Sequence, residues 1–557
     1  MIADTQTAKS EPGLWPEQPL HQLLYASARL TPERIALVDP ANKQQLTGTE
    51  PLRLNYRELT DKIDRLATLL LERGLVAGDL LLVQMPNIVE LVWVYLAASR
   101  LGLVVSPVPV QYQQHELGEI LQQLEPAAVI GVEAFKNDNF VAQLCSAIEI
   151  RQQQAQVSEH NTEAPQLLVW GAGGDFDLAA AMTEPLNATR LQDYLDRTPL
   201  HADQIFTICW TSGTEGQPKG IPRSHKQWLS VGRATYEGNQ IEPGEALLNP
   251  FPFINMASIG GLFLSWLYSG GKLVLHHPLD LPVYLQQIAE EKISYTLAPP
   301  ALLNSLLKSP ELLTSCDLSS LRAIGSGSAP LDEWMVAGFK EQFDIEIVNH
   351  FGSNEGVSLL CGPNETSSPN KRARLFPRHN SLLEMRLADS ESGELIEAAG
   401  TTGELQIKGP GVFDGYFKDP QKTANAFTED GFFLTGDLFE ICPDDPAFYR
   451  FIGRCKDLII RGGVNIAPAE LDNLICAHED ITEAAVAGYP CEVMGERVAA
   501  FVVSKSGQEL TLEALSQYLK SRQIATFKLP EKVVMIEALP RNPLGKVVRH
   551  RLTELLQ

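Results

Sequence analysis

The chain has 557 residues, a formal net charge of −24 and ordinary apolar (44%) and charged (20%) fractions, which is length enough for three or four compact units of roughly 150 residues each. The negative charge is spread along the chain, so binding of nucleic acid through a basic face is excluded, and a polyanionic ligand would need locally placed cations. No basic segment followed by an apolar run opens the sequence, and eight cysteines are scattered without a CxxC pair or a Cys/His cluster, which argues against secretion and a structural zinc and for a cytoplasmic location.

In chain order, Asn55 with Glu58 three residues later opens an amphipathic helix that carries Leu59, Ile63, Leu66 and Leu70 on one face and closes at Gly74. "LLLVQMP" then reads as a strand, Ile88 to Leu101 as a helix, "LVVSPVPV" as a strand, "QHELGEILQQL" as a helix and "AAVIGV" as a strand. The most apolar stretch, Val89 to Val110, is broken by Glu90, Arg100, Gly102, Pro107 and Pro109. It is expected to be a buried helix and strand, with no membrane span. Residues 148–166 lose periodicity and turn glutamine-rich, so a surface excursion or linker is expected there.

Alternation resumes with "KLVLHH", a helix around 281–291, "YTLAPP", a helix from Ala301, "LRAIGSGSAP", a helix near Leu331 and "IEIVNHFGSNEG". Alternating strands and helices predict an α/β fold with mostly parallel, doubly wound sheets, where ligands bind beyond the carboxyl ends of strands. From Leu458 the elements shorten into a small α+β domain, with "GRCKDLIIRGG" as the joint. The expected division is a large domain over 1–455 and a small mobile one over 456–557.

"TSGTEGQPKG" (Thr211 to Gly220) is rich in glycine and hydroxyl side chains, with one lysine. It is not a Walker A loop, because Lys219 is followed by Gly220 instead of Ser or Thr. "GSGSAP" and "GAGGDF" fail the dinucleotide fingerprint at Pro330 and Phe176, and no G-x-S-x-G elbow or HExxH is present. Two readings stay open on these residues alone: a polar turn, or a lid whose N–H groups, hydroxyls and Lys219 wrap phosphate oxygens.

Read in order, "TSGTEGQPKG", "NHFGSNEG", "GELQIKGPG" with "GYF", "FLTGDL", "FIGRCKDLIIRGGVNI" and "PRNPLGKVVRHRL" resemble the core motifs of adenylate-forming enzymes. These comprise acyl- and aryl-CoA synthetases, peptide-synthetase adenylation domains and luciferases. The resemblance runs from about residue 20 to the end. It implies an AMP-forming acid–thiol ligase: ATP and a carboxylic acid give an acyl-adenylate and pyrophosphate, and a thiol then takes the acyl group. The implied cofactors are ATP, Mg2+ and CoA, or the phosphopantetheine of a separate carrier protein.

The resemblance also implies roles for particular residues. Lys546 would reach in from the small domain to the carboxylate and α-phosphate, where a compact charge on a flexible stem suits a shared oxygen. Thr211, Ser212, Gly213, Thr214, Gly216 and Lys219 would hold the triphosphate, with Glu215 turned to solvent or metal. Glu355 would bind magnesium, a hard cation that takes carboxylate oxygen. Asp437 would accept from both ribose hydroxyls, Arg454 would lie near the ribose and phosphates, and Asn349 would face the adenine amino group. Gly325, Gly327, Ser328, Ala329 and Pro330 would line the adenine and acyl side, together with Gly352. Phe351 and Asn354 stand where the family commonly has tyrosine and threonine, so stacking on adenine is retained and the phosphate contact is altered.

The acyl pocket is expected to include Phe253, Asn255, Met256, Ile259, Gly260 and Gly327, mainly apolar with one polar handle, which suits an aryl acid or a medium aliphatic chain. Lys456 would be the hinge about which the small domain turns, and Gly462 and Gly463 would line the thiol tunnel. "GIPRSH" is similar to aryl-acid enzymes that load siderophore carriers, whereas "VMGERVAAFVV" recurs both there and in aliphatic CoA ligases. The chain ends just after Lys546 and its helix, so the thiol is expected from solution, CoA ahead of a carrier protein. A nucleotide-responsive regulator that reuses the scaffold is the reading from another class. Monomer and homodimer stay equally open.

Overall fold

The computed structural model describes residues 17–157, 164–187, 189–211, 218–314, 316–390, 392–461, 464–466, 468–491, 494–505, 507–522, 524, 526–542 and 547–556. The first helix read from the sequence, Tyr56–Glu72, carries the anticipated capping box: Asn55 Oδ1 accepts the Glu58 N–H at 2.8 Å, and Glu58 Oε2 accepts the Asn55 N–H at 2.9 Å. Gly74 closes it at φ +84°, a left-handed conformation that glycine adopts without a steric cost.

Two large sheets follow the alternation. One runs, across the sheet, Lys219–Ser224, Ile205–Thr211, Val104–Pro107, Leu80–Gln84, Ala128–Val132, Gln166–Trp170 and Phe176–Asp177. It is parallel except where Ile205–Thr211 turns back on itself as a hairpin. The other has the order Ser358–Cys361, Glu346–Gly352, Ala323–Gly327, Tyr295–Leu297, Ala246–Asn249, Lys272–Leu275, Ile35–Val38 and Arg53–Asn55. Its centre is parallel and both edge pairs are antiparallel. The N-terminal strand Ile35–Val38 therefore pairs with a strand more than two hundred residues away.

The helix Val89–Leu101 is buried on almost every side and shares one apolar cluster with strands of both sheets. That explains its unbroken hydrophobicity: it is a core helix between layers. Among the described residues no helix is long and apolar enough to cross a membrane.

Two features differ from the sequence reading. Residues 148–157 are not an irregular excursion but the second half of the helix Phe140–Val157, and strand Gln166–Trp170 begins where the linker was expected to end. Glutamine, arginine and alanine are good helix formers, so the missing apolar stripe did not mean loss of helix; residues 158–163 of the expected linker lie outside the described residues. In addition, residues 375–454 build a third, wholly antiparallel sheet in the order Leu375–Pro377, Phe448–Arg454, Phe433–Ile441, Thr402–Lys408, Glu384–Ala388 and Leu395–Ile396. It has its own core around Phe413, Phe433 and Phe439. Beyond it, Ile459–Arg461, Val464–Ile466, Ile481–Cys491, Gly495–Ser504 and Lys532–Met535 form one further sheet. Helices Pro468–Cys476, Leu512–Ser521 and Arg549–Glu554 accompany that sheet. Its buried side chains gather in two clusters drawn only from residues 459–552.

Candidate active site

The candidate residues lie on three sheets and the loops that follow their strands. Thr211 and Lys219 pair with each other across the antiparallel strands Ile205–Thr211 and Lys219–Ser224. Lys219 Nζ sits 5.5 Å from the centre of the Tyr416 ring, within cation–π range. The Tyr416 hydroxyl reaches Glu355 Oε1 from the other side, a long contact at 3.5 Å. Burial first, and the Glu355 charge beside it, push the Tyr416 phenol well above its ordinary range, so it stays a neutral donor. The structure thus brings Lys219 and Glu355 to one aromatic ring. Tyr416 belongs to the "GYF" segment, yet nothing in its spacing marked it as a site residue.

A buried arginine organises the Glu355 loop. Arg223 is fully enclosed and donates to the backbone oxygens of Asn354 (2.7 Å), Gly411 (2.7 Å) and Gln227 (3.3 Å), with its guanidinium 4.4 Å from the Trp228 ring centre. Burial holds its pKa down at about 10, against the opposing pull of Cys209, Glu355 and Asp414. The rigid fork of guanidinium donors suits three carbonyls from three elements. Asn354 Oδ1 accepts the Met256 N–H at 2.9 Å, so the residue standing in place of threonine ties the Glu355 loop to the expected acyl pocket. Gly356, at φ +116°, abuts Gly411: a Cβ there would lie 2.2 Å from the Gly411 oxygen. Glu355 has no ion-pair partner among the described residues, and a single half-buried carboxylate fits a magnesium ion that takes its other ligands from nucleotide phosphates.

In the antiparallel third sheet Asp437 is buried (3% exposed) and accepts from Arg454 Nε at 3.1 Å. Thr435 Oγ1 accepts the Asp437 N–H at 3.1 Å, and Glu404 Oε1 accepts the Gly436 N–H at 2.8 Å, which fixes the turn that presents the carboxylate. Phe351 packs against Phe439 and Phe451 at 5.2 and 5.0 Å between ring centres, and so joins its strand to the one that carries Asp437. Asn349 is nearly buried and spends its amide N–H groups on the carbonyls of Arg372 and Ala373 at 3.0 and 3.1 Å, leaving Oδ1 as the atom for a donor. Gly325 is buried at the middle of its strand and Gly327 ends it, with Ser328, Ala329 and Pro330 exposed beyond it and Ser328 at φ 70°. Gly352 is exposed at the end of the neighbouring strand.

The acyl-side residues divide. Met256 and Gly260 face each other: a Cβ on Gly260 would meet Met256 Sδ at 2.9 Å, and one on Gly352 would meet Met256 Cγ at 3.5 Å. Asn255 caps the turn Met256–Ser258, its Oδ1 accepting from the Ser258 N–H at 3.3 Å. Phe253, however, is a core residue. It is 1% exposed and held edge-on by Tyr95 and Phe263 at 5.8 and 5.5 Å. Ile259 is likewise fully buried, at the start of a π-helical turn, Ile259–Phe263. Apolar type alone does not distinguish a pocket wall from packing, and here packing took both.

Ser212, Gly213, Thr214, Gly216, Gly462, Gly463 and Lys546 lie outside the described residues. Lys456 falls in the short 3-10 turn Cys455–Asp457 that leads into the small sheet. No group of three or more His, Cys, Asp or Glu side chains suited to a metal ion occurs among the described residues.

The sequence of residues 24–417 matches the family described as AMP-binding enzyme, and residues 470–546 match the AMP-binding enzyme C-terminal domain. Enterobactin synthase component E of Escherichia coli (strain K12) is 30% identical, over 98% of this chain and 96% of its own. The mitochondrial medium-chain acyl-CoA ligase ACSF2 of Mus musculus is 29% identical, over 96% and 87%. Among solved structures, ATP-bound MatB from Rhodopseudomonas palustris superposes with a TM-score of 0.79 at 26% identity, covering 97% of this chain and 99% of its own. Fold and motifs together define an AMP-forming acid–thiol ligase of the adenylate-forming superfamily. The chain belongs to the AMP-binding enzyme family.

Proposed function

We propose that this enzyme uses ATP and Mg2+ to convert a carboxylic acid to its acyl-adenylate, releasing pyrophosphate, and then passes the acyl group to the thiol of CoA. The observation that carries the reading is the convergence of Lys219 and Glu355 on Tyr416, and the buried Asp437 with its partner Arg454 supports it. Cation, hard-oxygen ligand and diol acceptor are what a magnesium nucleotide needs.

Negative charge grows on the α-phosphate as the carboxylate attacks, so fixed donors dominate the rate. Lys219, Thr211, Ser212 and Thr214 hold the phosphate tail, Glu355 supplies an oxygen to the metal, and Asp437 holds the ribose. Lys546 meets the α-phosphate and must then withdraw for the thiol. We therefore divide the chain at 455/456, with Lys456 as hinge and Gly462 and Gly463 beside the incoming thiol. A small domain whose buried side chains pack only among themselves is suited to move as one body.

The relatives divide on the acceptor. One is named an acyl-CoA ligase and another a component of enterobactin synthase, so loading of an aryl acid onto a separate carrier protein is the second reading. Exchange of labelled pyrophosphate into ATP across a panel of aryl and aliphatic acids tests the first step. Thioester detection with CoA, and in parallel with a holo-carrier protein, tests the second. Acid-dependent exchange that falls on the order of 10²–10³ in K546A supports the proposal. Exchange with no acid in the panel overturns it.

A further inference from the structure

We propose that Tyr416 is a positioning residue that stands between Lys219 and Glu355 as a neutral spacer, so that the cation and the carboxylate meet the magnesium nucleotide separately instead of pairing with each other. This deepens the acid-activating reading above and rests on it. The segment that carries Tyr416 is tied to both of the residues it separates. The Phe417 N–H donates to the Gly220 carbonyl at 2.8 Å, next to Lys219, and the Phe413 N–H donates to the Glu355 carbonyl at 2.8 Å. Between those two bonds the Tyr416 N–H donates to Thr423 Oγ1 at 2.9 Å. A Cβ on Gly415, at φ +151°, would stand 2.4 Å from Thr423 Cγ2, so the turn before the tyrosine closes on that threonine. The Phe413 ring meets the Tyr416 ring edge-on at 4.9 Å. The tyrosine is thus fixed by contacts that do not use either charge.

The two charges meet different parts of that side chain. Lys219 Nζ lies 5.5 Å from the ring centre, and Glu355 Oε1 lies 3.5 Å from the hydroxyl. A π face attracts a cation and a phenol O–H offers its proton to a carboxylate, so one uncharged residue engages both signs, each weakly. Neither charge has an ion-pair partner among the described residues. Asp419, whose carboxylate feels Lys219, is held by Lys422 at 2.7 Å. Arg223, whose charge feels Glu355, spends its donors on three carbonyls. Weak contacts yield to phosphate and metal. A direct pair of Lys219 with Glu355 would have to be broken first, because it takes the cation that the triphosphate needs and the oxygen that the metal needs.

The experiment reads ATP binding by calorimetry in EDTA, where Lys219 counts and Glu355 has no metal to hold. Tyr416→Leu removes the ring and lets the two charges pair, so metal-free ATP should bind about 3- to 10-fold more weakly than to the wild type. Adding Glu355→Gln to Y416L frees Lys219 and should return binding to within about twofold of E355Q alone. Tyr416→Phe keeps the ring and should stay within about twofold of the wild type. With magnesium present, Y416L should raise KM for ATP in the exchange assay while kcat changes by less than about threefold, because saturating nucleotide breaks the pair. The inference is overturned if E355Q fails to rescue Y416L, if Y416L binds metal-free ATP as the wild type does, or if Y416F loses binding by more than about fivefold. Thermal melts check that each variant is folded, and where Y416L is not, the Y416F result decides. Calorimetry needs no acid, so absence of acid-dependent exchange counts against the activity, whereas a failed rescue counts against Tyr416.

Discussion

Arg454 Nε donates to Asp437 Oδ1 at 3.1 Å, from directly opposite it on the neighbouring antiparallel strand. The pair is unequal: the Asp437 side chain is 5% exposed and that of Arg454 50%. A buried carboxylate that holds ribose hydroxyls is costly to replace, whereas a half-exposed ion pair contributes less than about 1 kcal/mol. Asp437→Asn should therefore raise KM for ATP about 10- to 100-fold in the exchange assay. Arg454→Ala should shift the unfolding midpoint little. A D437N enzyme with wild-type ATP saturation would remove Asp437 from the nucleotide site.

Arg223 spans three backbone oxygens from the Glu355 loop, the Gly411 segment and the helix His225–Gly238 that follows its own strand. Replacing it with methionine fills much of the volume and leaves those buried acceptors unpaired, at about 1–3 kcal/mol each where no water enters. Urea unfolding of Arg223→Met should show a loss of at least about 3 kcal/mol. Arg223→Lys should not restore it, because one ammonium cannot reproduce the planar fork. Recovery of full stability in the lysine variant would show that charge alone is required.

Gly356 at φ +116° stands against the Gly411 oxygen, while Gly393 at φ +74° has open space around it. Alanine at 356 meets backbone in a conformation that side chains avoid, and alanine at 393 meets only the conformational term. Gly356→Ala should cost more than the order of 1–3 kcal/mol typical of such strain alone, and Gly393→Ala about 1 kcal/mol. Paired thermal melts compare them. Equal shifts would mean that the Glu355 loop yields freely.

Three buried histidines and the partly accessible His350 set an acid limit on stability. Burial pushes His21, His225 and His350 down to about 3, with Arg100 adding to the effect at His21, and His277 down to about 4. Their folded pKa values lie below the unfolded value near 6.5, so below that pH the unfolded chain binds protons that the folded chain refuses. Stability is thus fully present above about pH 6.5 and falls as pH drops toward 4, each residue adding up to about 1.4 kcal/mol per pH unit. Urea midpoints at pH 7, 6 and 5 should decline, and His225→Phe, which keeps a ring against Phe206, should flatten the decline. A flat profile from pH 6.5 to 5 would contradict these protonation states.

Much of the architecture was legible in the sequence because it is set by neighbours along the chain. The capping box at Asn55, the helix Val89–Leu101 and the alternation of strands with helices depend on spacing within a dozen residues. The ordered motifs likewise singled out Lys219, Glu355, Asp437 and Arg454 as candidates. The third sheet was not anticipated: its strands pair antiparallel, without the regular strand–helix alternation that marked the two large sheets. Arg223 looked like one cation among many until folding enclosed it. His350 acquires its character from Tyr295 and Asn239, 55 and 111 residues away, and Phe253 was assigned to core instead of pocket by Tyr95 and Phe263. Local pattern determines which elements form, because backbone hydrogen bonds and side-chain spacing are short-ranged. Which groups lose their water is decided only when distant segments close on one another.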